Sequence, residues 1–325
     1  MRLSVIIPVF NQAALLERHL PIVAGECAGL KGGAEVLVVD DGSDREAGAI
    51  EQITASIGAP ARLLRKPHLG FAAACNSGAD VAQGTHLLFL NSDVHGAAGS
   101  IESLVSALEG QPALFAVSPR LWNLEENFCE SLLRLRWNRG VFDVLQPERW
   151  TERPPESAAF RAVAYACGGA FVCRRDRFLK LGGFSPLLRP FYWEDADLGW
   201  RARCHGWGAA EHSGARMLHD HGATIQSLHA ARSIRIAYER NRLLFTWTHL
   251  RGAAGWAQHL AWLPLRWSAA AARGRPEVVA LPLALLRIAP LIRVRKKSRA
   301  WAVEARRLWS LVRAAGPDGW PGQKG

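Results

Sequence analysis

Two hydrophobic periods alternate along the first 120 residues. Leu3–Val9 is an apolar, β-branched run that closes at Pro8 and Asn11 and predicts a buried strand. Residues 12–24 follow with helical spacing. A second apolar run, 35–39, ends at Asp40-Asp41-Gly42-Ser43, and a helix is expected from Asp44. Residues 61–64 predict a short strand, 70–81 a helix, and His86–Leu90 a strand ending in Asn91-Ser92-Asp93. A helix over about 98–108 precedes a strand at 114–117. This βαβαβαβ order predicts an α/β fold with a doubly wound, mostly parallel sheet flanked by helices. Such sheets bind ligands at the carboxyl ends of their strands. Asp40, Asp41 and Asp93 fall there.

Residues 119–160 read as irregular, with Trp122, Trp137 and Trp150, and Pro154-Pro155 marks an extended break. After Ala231 the pattern turns helical and stays so, with interruptions, to about Arg313. There is no internal repeat and no low-complexity tract.

At 325 residues, 49% hydrophobic and 21% charged, the chain can bury a sizeable core, which excludes disorder as its general state. Cys27, Cys75, Cys129, Cys167, Cys173 and Cys204 form no C-x-x-C pair, so a zinc ribbon or redox dithiol is not expected. They read as packed thiols. The first residues lack the pattern of a secretory signal, so a cytoplasmic location is expected. The net charge of +11 is uneven. Residues 229–325 carry 18 Lys or Arg against four acidic groups, net +14, which leaves the first 228 residues at −3. A basic second part points to an anionic partner surface.

Four segments carry chemistry. A carboxylate of Asp40-Asp41-Gly42-Ser43 can accept from the N3–H of uracil or thymine, although the same residues are good turn and capping chemistry. Asp93, leaving the sheet after Asn91-Ser92, is placed to bind Mg²⁺ or Mn²⁺ shared with a diphosphate; a polar turn is the plain alternative. In Tyr192-Trp193-Glu194-Asp195-Ala196-Asp197, three carboxylates open a helix expected over 197–204. Asp197 and Arg201 form an i,i+4 pair there, and Glu194 or Asp195, placed before the helix, can act as general base on a sugar hydroxyl. In Leu218-His219-Asp220-His221-Gly222-Ala223-Thr224, a histidine just after a strand can complete a metal site.

In combination these segments resemble family 2 glycosyltransferases, over roughly residues 3–245. The resemblance runs through Pro8-Val9-Phe10-Asn11, Asp40-Asp41-Gly42-Ser43, Gly70-Phe71-Ala72-Ala73-Ala74-Cys75-Asn76-Ser77-Gly78, Asn91-Ser92-Asp93, Gly168-Gly169-Ala170, Leu181-Gly182-Gly183-Phe184, Glu194-Asp195 and His219. The run Trp193-Glu194-Asp195-Ala196-Asp197-Leu198-Gly199-Trp200-Arg201 is similar to the rhamnosyltransferase-like branch. The resemblance implies a GT-A fold, with a catalytic domain at 1–228 and a basic helical extension at 229–325. It implies that Asp40 and Asp41 hold nucleobase and ribose, and that Pro8, Asn11, Asn91 and Gly169 lie in the donor site. It implies Asp93 and His219 as ligands of a divalent cation, Asp195 as catalytic base, and Glu194 as support for the acceptor. Asn91 stands where the first acid of a D-x-D element would be. His68 stands before Leu69-Gly70-Phe71, where Asn is common.

The implied reaction is inverting transfer from a nucleotide-diphospho-sugar, of dTDP-rhamnose or UDP-hexose type, to a hydroxyl of a lipid-linked or cell-envelope glycan. Asp195 is expected to act ionised, so a strongly raised pKa is not required. A non-catalytic sugar-nucleotide-binding or scaffold protein is the alternative. A dinucleotide-dependent dehydrogenase is disfavoured, because no G-x-G-x-x-G follows the first strand.

In the second part, Trp256, Leu260, Leu263 and Trp267 fall at helical spacing, as do Trp301, Ala305, Leu308, Trp309 and Val312 with arginines close by. That is the pattern of interfacial amphipathic helices. The apolar run 278–292 has fifteen residues and contains Pro282, Arg287 and Pro290, short of the roughly 20 a spanning helix needs. A peripheral protein on the inner face of the membrane is therefore expected. The competing picture is a helical subdomain packed on the core or at a homodimer interface. No helix-turn-helix, RNP motif or zinc finger is present, so no nucleic-acid partner is expected.

Overall fold

A computed structural model describes residues 1–123, 128–145, 159–220, 230–297 and 301–315. Trp150, Pro154-Pro155 and His221 lie outside the described residues.

The strands are β1 (Leu3–Val9), β2 (Ala34–Asp40), β3 (Ala61–Arg65), β4 (His86–Leu90), β5 (Val94–Gly96), β6 (Leu114–Asn123), β7 (Phe128–Cys129), β8 (Arg134–Asn138), β9 (Val141–Leu145), β10 (Phe160–Ala162), β11 (Ala170–Arg174) and β12 (Gly208–His219). The helices of the first part are α1 (Ala13–Ala28), α2 (Ala47–Ile57), α3 (Phe71–Val81), α4 (Ser100–Glu109), α5 (Arg175–Leu181) and α6 (Glu194–Cys204).

One sheet runs in the order β10-β12-β6-β11-β4-β1-β2-β3. The β4-β1-β2-β3 side is parallel, as expected for strands joined by crossover helices. On the other side β11 is antiparallel to β4 and β6, whereas β6 and β12 are parallel. The sheet is therefore mixed, covered on both faces. Leu3, Val5, Ile7 and Val9 of β1 point to one face, where Leu16 and Leu20 of α1 and Leu104 and Leu108 of α4 meet them. Ile6 points to the other, onto Ala74, Cys75 and Ala79 of α3. This two-sided burial explains why the strand reads as continuously apolar.

Three expectations change. Residues 119–160 are not irregular throughout: β6 runs on to Asn123, and β8 and β9 form a separate antiparallel hairpin that includes Trp137. The helix expected from Asp44 begins at Ala47, because Asp44 instead accepts from Asn11 Nδ2 at 2.7 Å. Helix α6 begins at Glu194 and not at Asp197, so Glu194 and Asp195 occupy its first turn. None of the six cysteines is paired.

The second part folds as α7 (Ala231–His249), α8 (Ala253–Ala272), a 3₁₀ turn (Pro276–Val279), α9 (Ala280–Leu285), α10 (Ile288–Lys297) and α11 (Ala302–Ala314). Its apolar residues join those of α6 and the hairpin in a third cluster. Leu244 and Phe245 of α7 pack with Trp193 and Trp200, with Phe142 of β9, and with Leu308 and Val312 of α11. Each such fully buried side chain contributes about 1.5–3 kcal/mol. The stripe Ala305, Leu308, Trp309 and Val312 is buried in this cluster, so it does not form an outward interfacial face. No described helix is long and apolar enough to cross a membrane.

Candidate active site

A cleft of about 800 Å³ opens where the parallel strands end. Pro8, Asp41, Asn91, Gly169, Glu194, Asp195 and His219, all named from the sequence, line it.

At one wall, Asp41 is fixed by its neighbours. Its carboxylate accepts the backbone N–H groups of Leu69 at 3.1 Å and Gly70 at 2.7 Å, and it pairs with Lys66. Gly70 has φ +90°, and a Cβ there would lie 2.7 Å from the Pro190 carbonyl oxygen, so only glycine fits this approach. His68 stacks on Phe10 with ring centroids 4.1 Å apart, and its Nδ1 lies 2.8 Å from Asp41 Oδ2. The histidine that stands in place of the usual Asn thus joins Phe10 and Asp41 in one wall of the cleft.

Asp40 and Asn11 do not line the cleft. Asp40 is buried and accepts the Ser43 N–H at 2.9 Å, closing the turn after β2. Asn11, at φ 50°, donates its backbone N–H to the Ser43 hydroxyl oxygen and accepts the Arg45 N–H through its Oδ1, which fastens the β1 loop to the β2 loop.

Asp93 is fully buried, behind His219. His219 Nε2 is 3.2 Å from Asp93 Oδ1, and its Nδ1 donates to Glu130 Oε2 at 2.6 Å. Burial opposes a charge on this imidazole, but the hydrogen bonds to Asp93 and Glu130 outweigh it and push its pKa up to about 10. Glu130 follows β7 and carries no motif of its own; only the structure brings it to His219. The ring lies between the two carboxylates. Among the described residues, accordingly, no group of three or more His, Cys, Asp or Glu converges to hold a metal ion. Asp93 and His219 do supply two oxygen and nitrogen donors side by side. An imidazole charged between two carboxylates has no lone pair to give, so the pair could hold a hard cation only with Nε2 deprotonated and Asp93 uncovered, Glu130 then fixing the far ring nitrogen.

The first turn of α6 supplies the other wall. Asp195 accepts the Gly168 N–H through Oδ2 at 3.2 Å and the Ala196 N–H through Oδ1 at 2.7 Å. Burial raises its pKa to about 6 against the pull of those two donors. Glu194 is pushed much higher, first by burial and then by the charge of Asp195.

The approach to this turn is held from the second part of the chain. Tyr192 and Trp193 both have φ 72°, a conformation that costs bulky residues about 1–3 kcal/mol each. Asn241 of α7 offsets it. Its buried side-chain amide donates to the carbonyls of Phe191 at 2.9 Å and Tyr192 at 3.0 Å, and reaches that of Leu188. Arg287 binds the carbonyls of Leu187 at 2.6 Å and Arg189 at 2.9 Å. Behind the turn, Asp197 is clamped by Arg201 at 2.8 Å and by His249 at 2.7 Å. Burial works to raise the Asp197 pKa, but these two partners hold it below the usual carboxylate value.

The glycosyl transferase family 2 model matches residues 4–181. The pre-mycofactocin glycosyltransferase of Mycobacterium tuberculosis strain H37Rv is 30% identical over 224 residues, 69% of this chain and 43% of that protein. The chain thus spans less than half the length of that relative. Among solved structures, GalNAc-T7 with UDP, GalNAc and Mn²⁺ superposes with a TM-score of 0.56 at 17% identity, covering 76% of this chain and 48% of the other. The mannosyltransferase of Pyrobaculum calidifontis with GDP-Man and Mn²⁺ gives 0.52 at 19% identity, covering 95% and 87%. These neighbours share the GT-A-like architecture, a mixed, mostly parallel sheet flanked by helices. The family match extends from β1 through α5 and takes in the Asp41 wall, the end of β4 before Asn91 and the start of β11 after Gly169, so this chain belongs to glycosyl transferase family 2.

Proposed function

We propose that the chain is an inverting glycosyltransferase of the rhamnosyltransferase-like branch. Its donor is a nucleotide-diphospho-sugar of dTDP-rhamnose or UDP-hexose type. Its acceptor is a hydroxyl of a lipid-linked or cell-envelope glycan at the inner face of the membrane. Residues 1–228 hold the donor and the chemistry; residues 229–325 brace the catalytic turn and face the acceptor side.

One observation carries this reading: the Asp195 carboxylate, held by the N–H groups of Gly168 and Ala196, shares a cleft with the Asp41 wall. The nucleobase lies against Phe10 and His68, with Asp41 ordering the loop that carries His68 and with Pro8 beside it. Asp40 and Asn11 act from behind by fixing the two loops. The donor sugar lies near Asn91 and the small residues Gly168 and Gly169. Asp195 accepts the proton of the acceptor hydroxyl as its oxygen bonds to the anomeric carbon. The bond from that carbon to the diphosphate oxygen breaks on the opposite face, and the nucleoside diphosphate leaves with the electron pair. Glu194 lines the cleft beside Asp195 and supports the acceptor there. Asp93 and His219 would hold a divalent cation, Mg²⁺ or Mn²⁺, which supplies positive charge for the leaving diphosphate.

A calorimetric panel of UDP-, dTDP- and GDP-sugars with Mn²⁺ or Mg²⁺ tests the reading. One donor should bind with metal and lose binding in Asp93→Ala, and its transfer should vanish in Asp195→Asn. Absence of binding to every donor would overturn it.

A further inference from the structure

We infer that the outer surface of α8, α9 and α10 is a docking surface for an anionic phospholipid bilayer. The inference rests on the membrane-side acceptor reading for its purpose, but its grounds are independent of the cleft chemistry.

A surface helix normally turns its charged residues to water. Helix α8 does the reverse. None of its exposed positions carries a charge, and Ser268 is the only polar one. Leu260 is 61% exposed and Leu265 59%. The apolar surface continues beyond α8. The Trp267 indole donates to the Val278 carbonyl at 3.0 Å, tying the end of α8 to the 3₁₀ turn. From there Leu285, Leu286, Ile288 and Ile292 are exposed, Leu286 at 79%. Ile288 and Ile292 are one helical turn apart in α10, followed at once by exposed Arg293, Lys296 and Lys297.

Charge selects the occupant. Residues 253–297 contain eight Lys or Arg and a single acidic residue, Glu277. Arg273 and Arg275 add to the exposed basic rim. A second copy of the chain would bring the same basic rim against itself, whereas a bilayer with anionic headgroups complements both the apolar centre and the rim. The surface also reaches the cleft: Glu277, on the same 3₁₀ turn, lines it together with Arg235 of α7. A lipid-borne acceptor could therefore pass its glycan to Asp195 while its lipid stays in the bilayer. The Trp309 stripe of α11, buried in the core, has no part in this surface.

Flotation of the full chain with sealed vesicles is the test, using phosphatidylglycerol mixed with phosphatidylcholine against phosphatidylcholine alone. The chain should float with the anionic vesicles and be released by salt. Leu265→Asp combined with Leu286→Asp should weaken partitioning at least tenfold. Arg293→Gln combined with Lys296→Gln should weaken it about 25-fold, near fivefold for each basic side chain. Donor binding measured on the same samples should be unchanged, which shows that the variants are folded. Failure of the wild type to float, or equal flotation of both double variants, overturns the proposal. Sedimentation showing a dimer that Leu265→Asp with Leu286→Asp dissociates, without lipid binding, would give the surface to a second copy. The vesicle assay contains no sugar nucleotide. Binding to vesicles without binding to any donor would therefore sink the proposed reaction and leave the docking surface standing.

Discussion

Asp195 Oδ2 accepts the backbone N–H of Gly168 at 3.2 Å, and a Cβ at position 168 would lie 3.1 Å from that same oxygen. The carboxylate is thus positioned by a main-chain donor that admits little side chain beside it. The contact also stabilises the ionised form in a site whose burial favours the neutral one.

From this follows a pH dependence. A base must be ionised to work, and burial raises the Asp195 pKa to about 6. Activity should be full above that value and fall tenfold per pH unit below it, as the carboxylate takes up its proton. The pH profile of kcat/KM checks this. Asp195→Asn should lower kcat by about 10²–10⁴-fold and abolish the acid limb. A variant that keeps the limb would remove Asp195 from the role of base.

Glu130 should matter although it lies far along the sequence from the His219 segment and carries no motif. It holds the Nδ1 side of His219 at 2.6 Å and so fixes which nitrogen faces Asp93. Partners of this kind typically change metal affinity by 10–100-fold. Glu130→Gln, titrated calorimetrically with Mn²⁺ in the presence of nucleoside diphosphate, should weaken binding in that range. Unchanged affinity would leave Glu130 as a packing residue.

Asp197 differs in kind from its neighbours Glu194 and Asp195. Its carboxylate is buried between Arg201 and His249 and does not line the cleft. Asp197→Ala would strand the Arg201 guanidinium in the core. Loss of one partner of a buried pair costs about 3–5 kcal/mol, so thermal or urea unfolding should show a large loss of stability. A small change would mean that the Arg201 bonds to the carbonyls of Leu181 and Gly183 suffice.

How far the sequence reaches depends on whether a feature is local. The strands and helices of the first part were legible because each carries its own period, and β1 reads as buried because Ile6 and its neighbours cover both faces. The start of α6 was misplaced because it depends on Tyr192 and Trp193 at positive φ, which aromatic residues do not signal. Glu130 was invisible because its partner lies 89 residues away. In the second part, the Trp309 stripe was legible as amphipathic, but periodicity does not say which surface a stripe covers. It covers Phe142 and Trp200, in the core.

Asn241 offers a test of the link between the two parts of the chain. It is fully buried in α7, does not line the cleft, and its amide donates to the carbonyls of the loop that leads into Glu194 and Asp195. That loop contains the two strained residues, so the donors that restrain it also set where α6 begins. Asn241→Ala would leave buried carbonyls without donors, at about 1–3 kcal/mol for each group left unsatisfied. Relaxation of Tyr192 and Trp193 would then shift Asp195 relative to the acceptor. Displacement of a catalytic group by an ångström can cost up to about 100-fold in rate. The expected result is therefore a lower melting temperature together with a lower kcat. Donor affinity should change little, because the Asp41 wall does not touch Asn241. Loss of stability with an unchanged kcat would show that α7 supports the fold but does not position the catalytic turn.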